Sequence, residues 1–214
     1  MTALQVADWR RRNFALYSAV RANPDAASAH AEWRAGRDEM FATHPASPLL
    51  PEDLRDFTGL PFEAYDPDWR FEASIVPGSG VPGTGLSEAG RRMNVETGTD
   101  GIVPFDLLGT VEIDQVGTLD VWRLASYGGG IFIPVKDALS RVAGGTYGGG
   151  RYLLDTVKGA DLGAGSTPES LVLDFNFAYN PSCAYDPAWA CPLAQAGNTL
   201  AGQVPVGERY GASA

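Results

Sequence analysis

From Pro51 to about residue 206 the chain runs in short apolar stretches broken by glycine and proline, and this rhythm restricts the fold more than any other feature. The stretches fall at about residues 69–75, 91–96, 102–108, 109–116, 118–125, 130–135, 150–157, 170–178 and 202–206. In the first of them Trp69, Phe71, Ala73 and Ile75 alternate strictly with Arg70, Glu72 and Ser74, the period of a half-buried strand. Turn residues separate the runs at spacings typical of antiparallel sandwiches and barrels, and closing such a sheet removes its exposed edges. The expected fold is therefore mainly β within an α+β class: an antiparallel barrel or strongly curled sheet with two N-terminal helices packed on it.

The helices are read from a different period. Val6, Trp9, Leu16, Tyr17 and Val20 recur at helical intervals between Ala3 and about Ala22, with arginines between them. A second helix has Asn23 as cap, Pro24 at its first position and Asp25 near the positive end of its dipole. Its apolar stripe is Ala26, Ala29, Trp33, Met40 and Phe41, and it ends near His44, which precedes Pro45. Residues 1–45 thus form a helical leader and residues 46–214 a β-rich domain, the two making one compact unit.

At 214 residues with 44% hydrophobic residues, the chain can bury one sizeable core. A net charge of −10 argues against nucleic-acid or anionic-membrane partners through bulk electrostatics. Arg10, Arg11 and Arg12 form a basic cluster that reads as a solvated helix face. No apolar run approaches the roughly 20 residues of a membrane helix, and the start lacks an apolar signal region. A cytoplasmic protein is expected, with Cys183 and Cys191 free in a reducing compartment.

Several motifs fail on context. Gly78, Gly80 and Gly83 fit a dinucleotide-binding spacing, but Pro82 and further glycines replace the helix that should hold a pyrophosphate. The triplets Gly128–Gly130 and Gly148–Gly150 lack the lysine of a phosphate loop. Cys183 and Cys191 are too far apart for a zinc knuckle, and only His30 and His44 could add ligands. No cofactor or metal is expected. The dense polar and aromatic block of residues 171–185, continued by Cys191 and Asn198, is the place to look for a site. Arg151, following three glycines, offers a fork for carboxylate or phosphate, or pairs internally with Asp155 or Asp174. Asp174 and Asn176 share a strand face and need partners, either each other or a ligand. Cys183 as a nucleophile needs a base or cation such as His44 or Arg151 beside it; packed, inert thiols are the alternative.

These same residues resemble the domain of unknown function 1684 family of bacterial and archaeal proteins. The resemblance rests on Lys136 and Asp137, the run from Thr146 to Leu153, Leu173 to Asn176, Ala178 to Pro181, Cys183 to Tyr185, Cys191 to Leu193, Asn198, and Gly207 with Glu208. It implies no activity, cofactor or catalytic residue, so the site is read from chemistry. Arg151, Tyr152, Asp174, Asn176, Tyr179, Asn180, Cys183 and Tyr185 are the candidate binding residues for a small polar or anionic ligand. The competing readings are a hydrolase or transferase using Cys183 or Asp174, and a purely structural polar network. They differ in whether these side chains line an open cavity or seal one another.

Overall fold

Branched and aromatic runs between turn residues do become strands in the computed structural model, which describes residues 1–77, 92–97 and 101–211. The glycine motif of residues 78–83 lies outside the described residues. Two helices come first, α1 (Ala3–Ala22) and α2 (Ala26–Thr43). Thr2 and Gln5 close a capping box on α1. On α2 the cap is Asp25, whose side chain accepts from the Ser28 amide, two residues beyond the expected Asn23. Asn23 instead accepts from the Asp25 amide and sets up the turn. A short helical turn, α3 (Pro51–Leu54), leads into the sheet region.

The strands are β1 (Arg70–Ser74), β2 (Val76–Pro77), β3 (Arg92–Thr97), β4 (Gly101–Ile113), β5 (Gly117–Leu124), β6 (Ile131–Val135), β7 (Arg151–Asp155) and β8 (Ser170–Asp174). β4 to β7 form an antiparallel meander, with β2 and β3 both paired to β4. β1 and β8 form a separate antiparallel ladder that places Arg70 opposite Asp174. The two runs expected at 102–108 and 109–116 are one strand, bulged between Leu107 and Gly109. A side chain at Gly109 would lie 2.1 Å from the Val76 carbonyl, so β2 can approach only because the residue is glycine.

The expected barrel does not form: β2 and β3 lie at one edge and β7 at the other, and among the described residues no pairing joins them. Nor is the sheet strongly curled. The β7 edge is covered rather than closed, because Tyr152 and Tyr179 exchange both backbone hydrogen bonds, at 2.8 and 3.1 Å. Residues 202–206 likewise form no strand; the Val204 amide donates to the Asp137 carboxylate at 2.7 Å.

Adjacent residues of one strand bury into opposite clusters, as the period of two requires. Val121 and Ile133 join an aliphatic cluster with Val111, Leu119, Leu153, Leu173 and Phe175. Trp122 and Phe132 join an aromatic cluster with Tyr152, Phe177 and Tyr179, to which the helices contribute Tyr17 and Trp33. Helix α2 buries Ala29, Trp33, Met40 and Phe41 as expected, but also His30 and Arg37. The His30 ring sits against Trp33, Phe62, Tyr65 and Phe177, and its Nε2 bonds the Asn176 carbonyl at 2.9 Å. Burial pushes its pKa down to about 4 from 6.5.

Two outcomes follow from this packing. Trp33, 1% exposed, leaves a large cavity when truncated, so Trp33→Ala lowers unfolding free energy by about 3–5 kcal/mol in a urea titration; a loss under about 0.5 kcal/mol would show a helix detached from the core. His30 stays neutral in the fold at pH values where the unfolded chain already binds a proton. Its contribution is therefore present above pH 6.5 and is lost as pH falls toward about 4. Relative to His30→Gln, the wild type should lose stability across that window, and parallel pH curves for the two proteins would refute the assignment.

Candidate functional site

The three glycines 148–150 let two segments of chain settle against β6 and β7. A side chain at Gly150, whose φ is +88°, would meet the Val135 carbonyl and the Ala194 side chain, each at 2.8 Å. What approaches these glycines is the protein's own chain: the Ala194 amide donates to the Gly149 carbonyl at 3.1 Å. Arg151 then points into the interior, 1% exposed. Its guanidinium donates to the carbonyls of Val204 at 3.3 Å, Val206, and Glu208 at 3.3 Å. Its ion-pair partner is Asp137 at 3.5 Å, rather than Asp155 or Asp174. Asp137 in turn accepts from the Thr146 hydroxyl and the Val204 amide. Burial lowers the Arg151 pKa to about 10 despite that partner.

Glu208 continues the network. Fully buried, its carboxylate accepts from the Asn180 amide at 2.9 Å and from the Tyr185 hydroxyl, and lies 3.5 Å from Arg37 Nη2. Burial raises its pKa. Arg37 spreads its charge over the rings of Tyr179, Trp33 and Phe41, at 4.7, 5.1 and 5.2 Å. The Asn180 amide group also donates to the Arg209 carbonyl at 2.9 Å.

Asp174 and Asn176 form a second, separate cluster that shares no hydrogen-bond partner with Arg151. β8 ends at Asp174, and Asn176 lies in the 3-10 turn Phe175–Phe177 that Asp174 caps. The Asn176 amide group donates to Asp174 Oδ1 at 2.8 Å, and Tyr65 and Arg70 donate to Oδ2 at 3.1 and 3.3 Å. Asn176 also brackets Asp66, accepting from its amide and donating to its carbonyl, both at 2.8 Å. Burial outweighs these bonds and raises the Asp174 pKa. Of the two options for this pair, bonding to each other is the one present.

Polar groups remain open to solvent elsewhere, in a cleft of about 590 Å³ between β3, Trp122 and the strap of residues 191–196. Asn198 fixes the strap with its side chain: Oδ1 accepts from Trp122 Nε1 at 2.8 Å, and Nδ2 donates to the carbonyls of Asp120 and Pro134 at 2.8 and 3.0 Å. The Tyr152 hydroxyl holds the Pro192 carbonyl at 2.8 Å. Cys191 lines this cleft, and Cys183 lies in the 3-10 turn Ser182–Ala184, its sulfur 3.7 Å from the Tyr147 hydroxyl. Interaction with the Cys183 thiol lowers the Cys191 pKa to about 6, and interaction with Cys191 together with burial raises that of Cys183. The thiol inclined to ionise is thus Cys191, which sequence reasoning did not single out. Its neighbours are Cys183, Tyr152 and Lys158 rather than His44 or Arg151; His44 bonds Asp8 at 3.2 Å.

The fold and this arrangement define an α+β protein with an open antiparallel sheet, two helices packed on it, and its polar block folded inward beside a cysteine-bearing cleft. Residues 55–209 match the family described as protein of unknown function (DUF1684), and the chain belongs to that family. It is similar to an uncharacterized protein of Haloarcula marismortui solved by solution NMR, at 30% identity and a TM-score of 0.56, over 85% of this chain and 92% of that one. No curated protein matches. Among the described residues no helix is long and apolar enough to cross a membrane.

Arg151 gives the sharpest test of the inward network. Arg151→Met strands the Asp137 charge and frees three buried carbonyls of their donor, so it should lower unfolding free energy by about 3–5 kcal/mol. Adding Asp137→Leu should recover part of that loss. A single variant within about 1 kcal/mol of wild type would mean that Arg151 is not held as described.

Proposed function

We propose that this protein binds a small polar molecule, and that the ligand lies in the cleft between β3, Trp122 and the strap of residues 191–196. One contrast carries the reading. Arg151, Asp174, Asn176 and Asn180 spend their hydrogen bonds on the chain itself, whereas the cleft presents Asn94, Glu96 and Gln195 around a Trp122 floor. A concave site with an aromatic base and a few polar groups is the usual form of a small-molecule site. In this reading Tyr152 acts through Pro192, Tyr179 and Tyr185 brace Arg37 and Glu208, and the inward network gives the cleft a rigid frame. The charge-pairing role considered for Arg151 passes to the groups of the cleft rim.

A metabolite panel screened by thermal shift tests this directly, since a native-state ligand at a hundredfold excess over its dissociation constant stabilises by roughly 2.7 kcal/mol. Ala196 is exposed on the cleft wall, so Ala196→Trp should fill the cleft without disturbing the core. The variant should melt near the wild-type temperature and lose the ligand-induced shift. A ligand that still stabilises Ala196→Trp fully, or whose amide perturbations map away from β3 and residues 191–196, would sink the proposal.

A further inference from the structure

The cleft runs along the edge of a strand. Arg92, Met93, Asn94, Val95 and Glu96 all border it, although their side chains alternate between the two faces of the sheet, and only the edge of a strand presents every residue in turn. Among the described residues β3 pairs with β4 alone, so its other edge is unpaired. Register decides which backbone groups that edge carries. Asn94 lies opposite Pro104, which has no N–H and whose carbonyl accepts from the Ala125 amide at 2.8 Å on the β5 side. The pair is therefore of the non-hydrogen-bonded kind, and the Asn94 N–H and C=O point to the open edge. By the alternation of an antiparallel ladder those of Arg92 and Glu96 point the same way, while those of Met93 and Val95 face β4. The strap opposite commits its own backbone elsewhere. Its Pro192 carbonyl holds the Tyr152 hydroxyl, its Ala194 amide the Gly149 carbonyl and its Gln195 carbonyl the Asn198 amide.

Charge and packing select the occupant. At one end of the edge Arg92 shares Asp106 with Arg123, at 2.7 and 3.4 Å, which sets two guanidiniums against one carboxylate. At the other end stands Glu96, exposed. The two lie four residues apart, about 13 Å at roughly 3.3 Å per residue. Trp122 shares the face of Met93 and Val95, since Met93 is opposite Phe105 and Trp122 is opposite Leu107. The cleft thus offers a row of backbone donors and acceptors, an apolar floor beneath them, and opposite charges at its two ends.

We propose that the cleft binds a short free peptide of about five residues, which adds to β3 as an antiparallel strand with its ammonium end at Glu96 and its carboxylate end at Arg92. The assignment rests on the cleft being the ligand site and names the ligand's class. Pairing with the backbone of Arg92, Asn94 and Glu96 supplies affinity that any peptide can draw on, and side chains on alternate positions add preference. The first, third and fifth peptide residues stand beside the side chains of Glu96, Asn94 and Arg92. The second and fourth point toward Trp122 and the strap, where apolar side chains fit. Direction follows from charge, because a parallel peptide would set its carboxylate against Glu96 and its ammonium against Arg92.

Full-length protein is titrated with a synthetic free pentapeptide, leucine at its second and fourth positions and glycine elsewhere. Binding is followed by calorimetry and amide hydrogen exchange by NMR. The peptide should bind saturably and slow exchange at Arg92, Asn94 and Glu96. Methylating the nitrogen of its third residue removes the donor to the Asn94 carbonyl and should weaken binding at least about tenfold. Glu96→Gln should weaken the free peptide about threefold and leave the binding of its N-acetylated form unchanged. Asn94→Pro removes an N–H from the open edge, where a strand tolerates proline, so it should melt near the wild-type temperature and lose peptide binding. The methylated peptide makes the same cut from the ligand side with wild-type protein. Binding indifferent to the methyl group, or exchange slowed at none of the three amides, would overturn the proposal. So would protection of those amides that appears without peptide and grows with protein concentration, the sign of a second copy on this edge. An inert pentapeptide, alongside a metabolite that shifts the melting of wild type but not of Ala196→Trp, would remove this inference and leave the binding reading standing.

Discussion

A buried row of opposite charges holds this fold together: Asp137 faces Arg151, and Glu208 faces Arg37. Each pair fastens a different part of the chain. Arg151 grips the carbonyls of residues 204–208, and the Glu208 carboxylate, carried by that same segment, reaches Arg37 on α2 and the turn that starts at Asn180. Ions are costly to bury unless every remaining donor and acceptor is met. Around Arg151 backbone carbonyls meet that need, whereas Arg37 lies over aromatic rings with its Nε and Nη2 in no hydrogen bond among the described residues. Gly207 is the hinge of the arrangement: at φ +80°, with the Phe175 and Ala178 carbonyls 2.7 and 2.8 Å from where a side chain would begin, it admits no other residue without strain.

Much of the fold is legible in the sequence because it is local. The alternation of residues 69–75 becomes β1, with Ala73 inside and its neighbours outside. Asp66 and Asp186, each followed by proline, both cap a turn with the side chain, accepting from the amide two residues on at 3.0 and 2.9 Å. What fails is non-local. Residues 202–206 alternate like a strand, but Val204 and Val206 turn their backbone to side chains, and among the described residues no strand pairs with them. Barrel closure was inferred from the need to hide edges, and the chain hides the β7 edge with Tyr179 instead. His30 and Arg37 look solvated in a helical pattern, because the groups that bury them lie far along the chain.

The candidate site divides in the same way. Asp174 and Asn176 lie two apart in sequence, and their pairing is one of the two options read from it, although Asn176 sits in a 3-10 turn and not on the strand face. Arg151 needed an acidic partner, but the choice of Asp137 depends on how β6 and β7 align, which local pattern does not encode. Cys191 drew little attention because thiol acidity is set by what surrounds the sulfur, and Cys183, Tyr152 and Lys158 come together only in the folded chain. The room beside Gly149 and Gly150 is taken by the side chains of Leu193 and Ala194.

The long reach of the helix contacts also bears on how the molecule is made. His30 waits for a carbonyl 146 residues later in the chain, and Arg37 for a carboxylate farther on still. During synthesis α1 can cover part of the aromatic face of α2, through Trp9 on Phe41 and Tyr17 on Trp33, but His30 and Arg37 stay without these partners until most of the chain has followed. Contacts of such separation must first meet their loop-closure entropy, which slows their formation relative to local ones. Until then, whatever apolar helix surface is still uncovered favours aggregation, which sets a cost on any delay in making the C-terminal third.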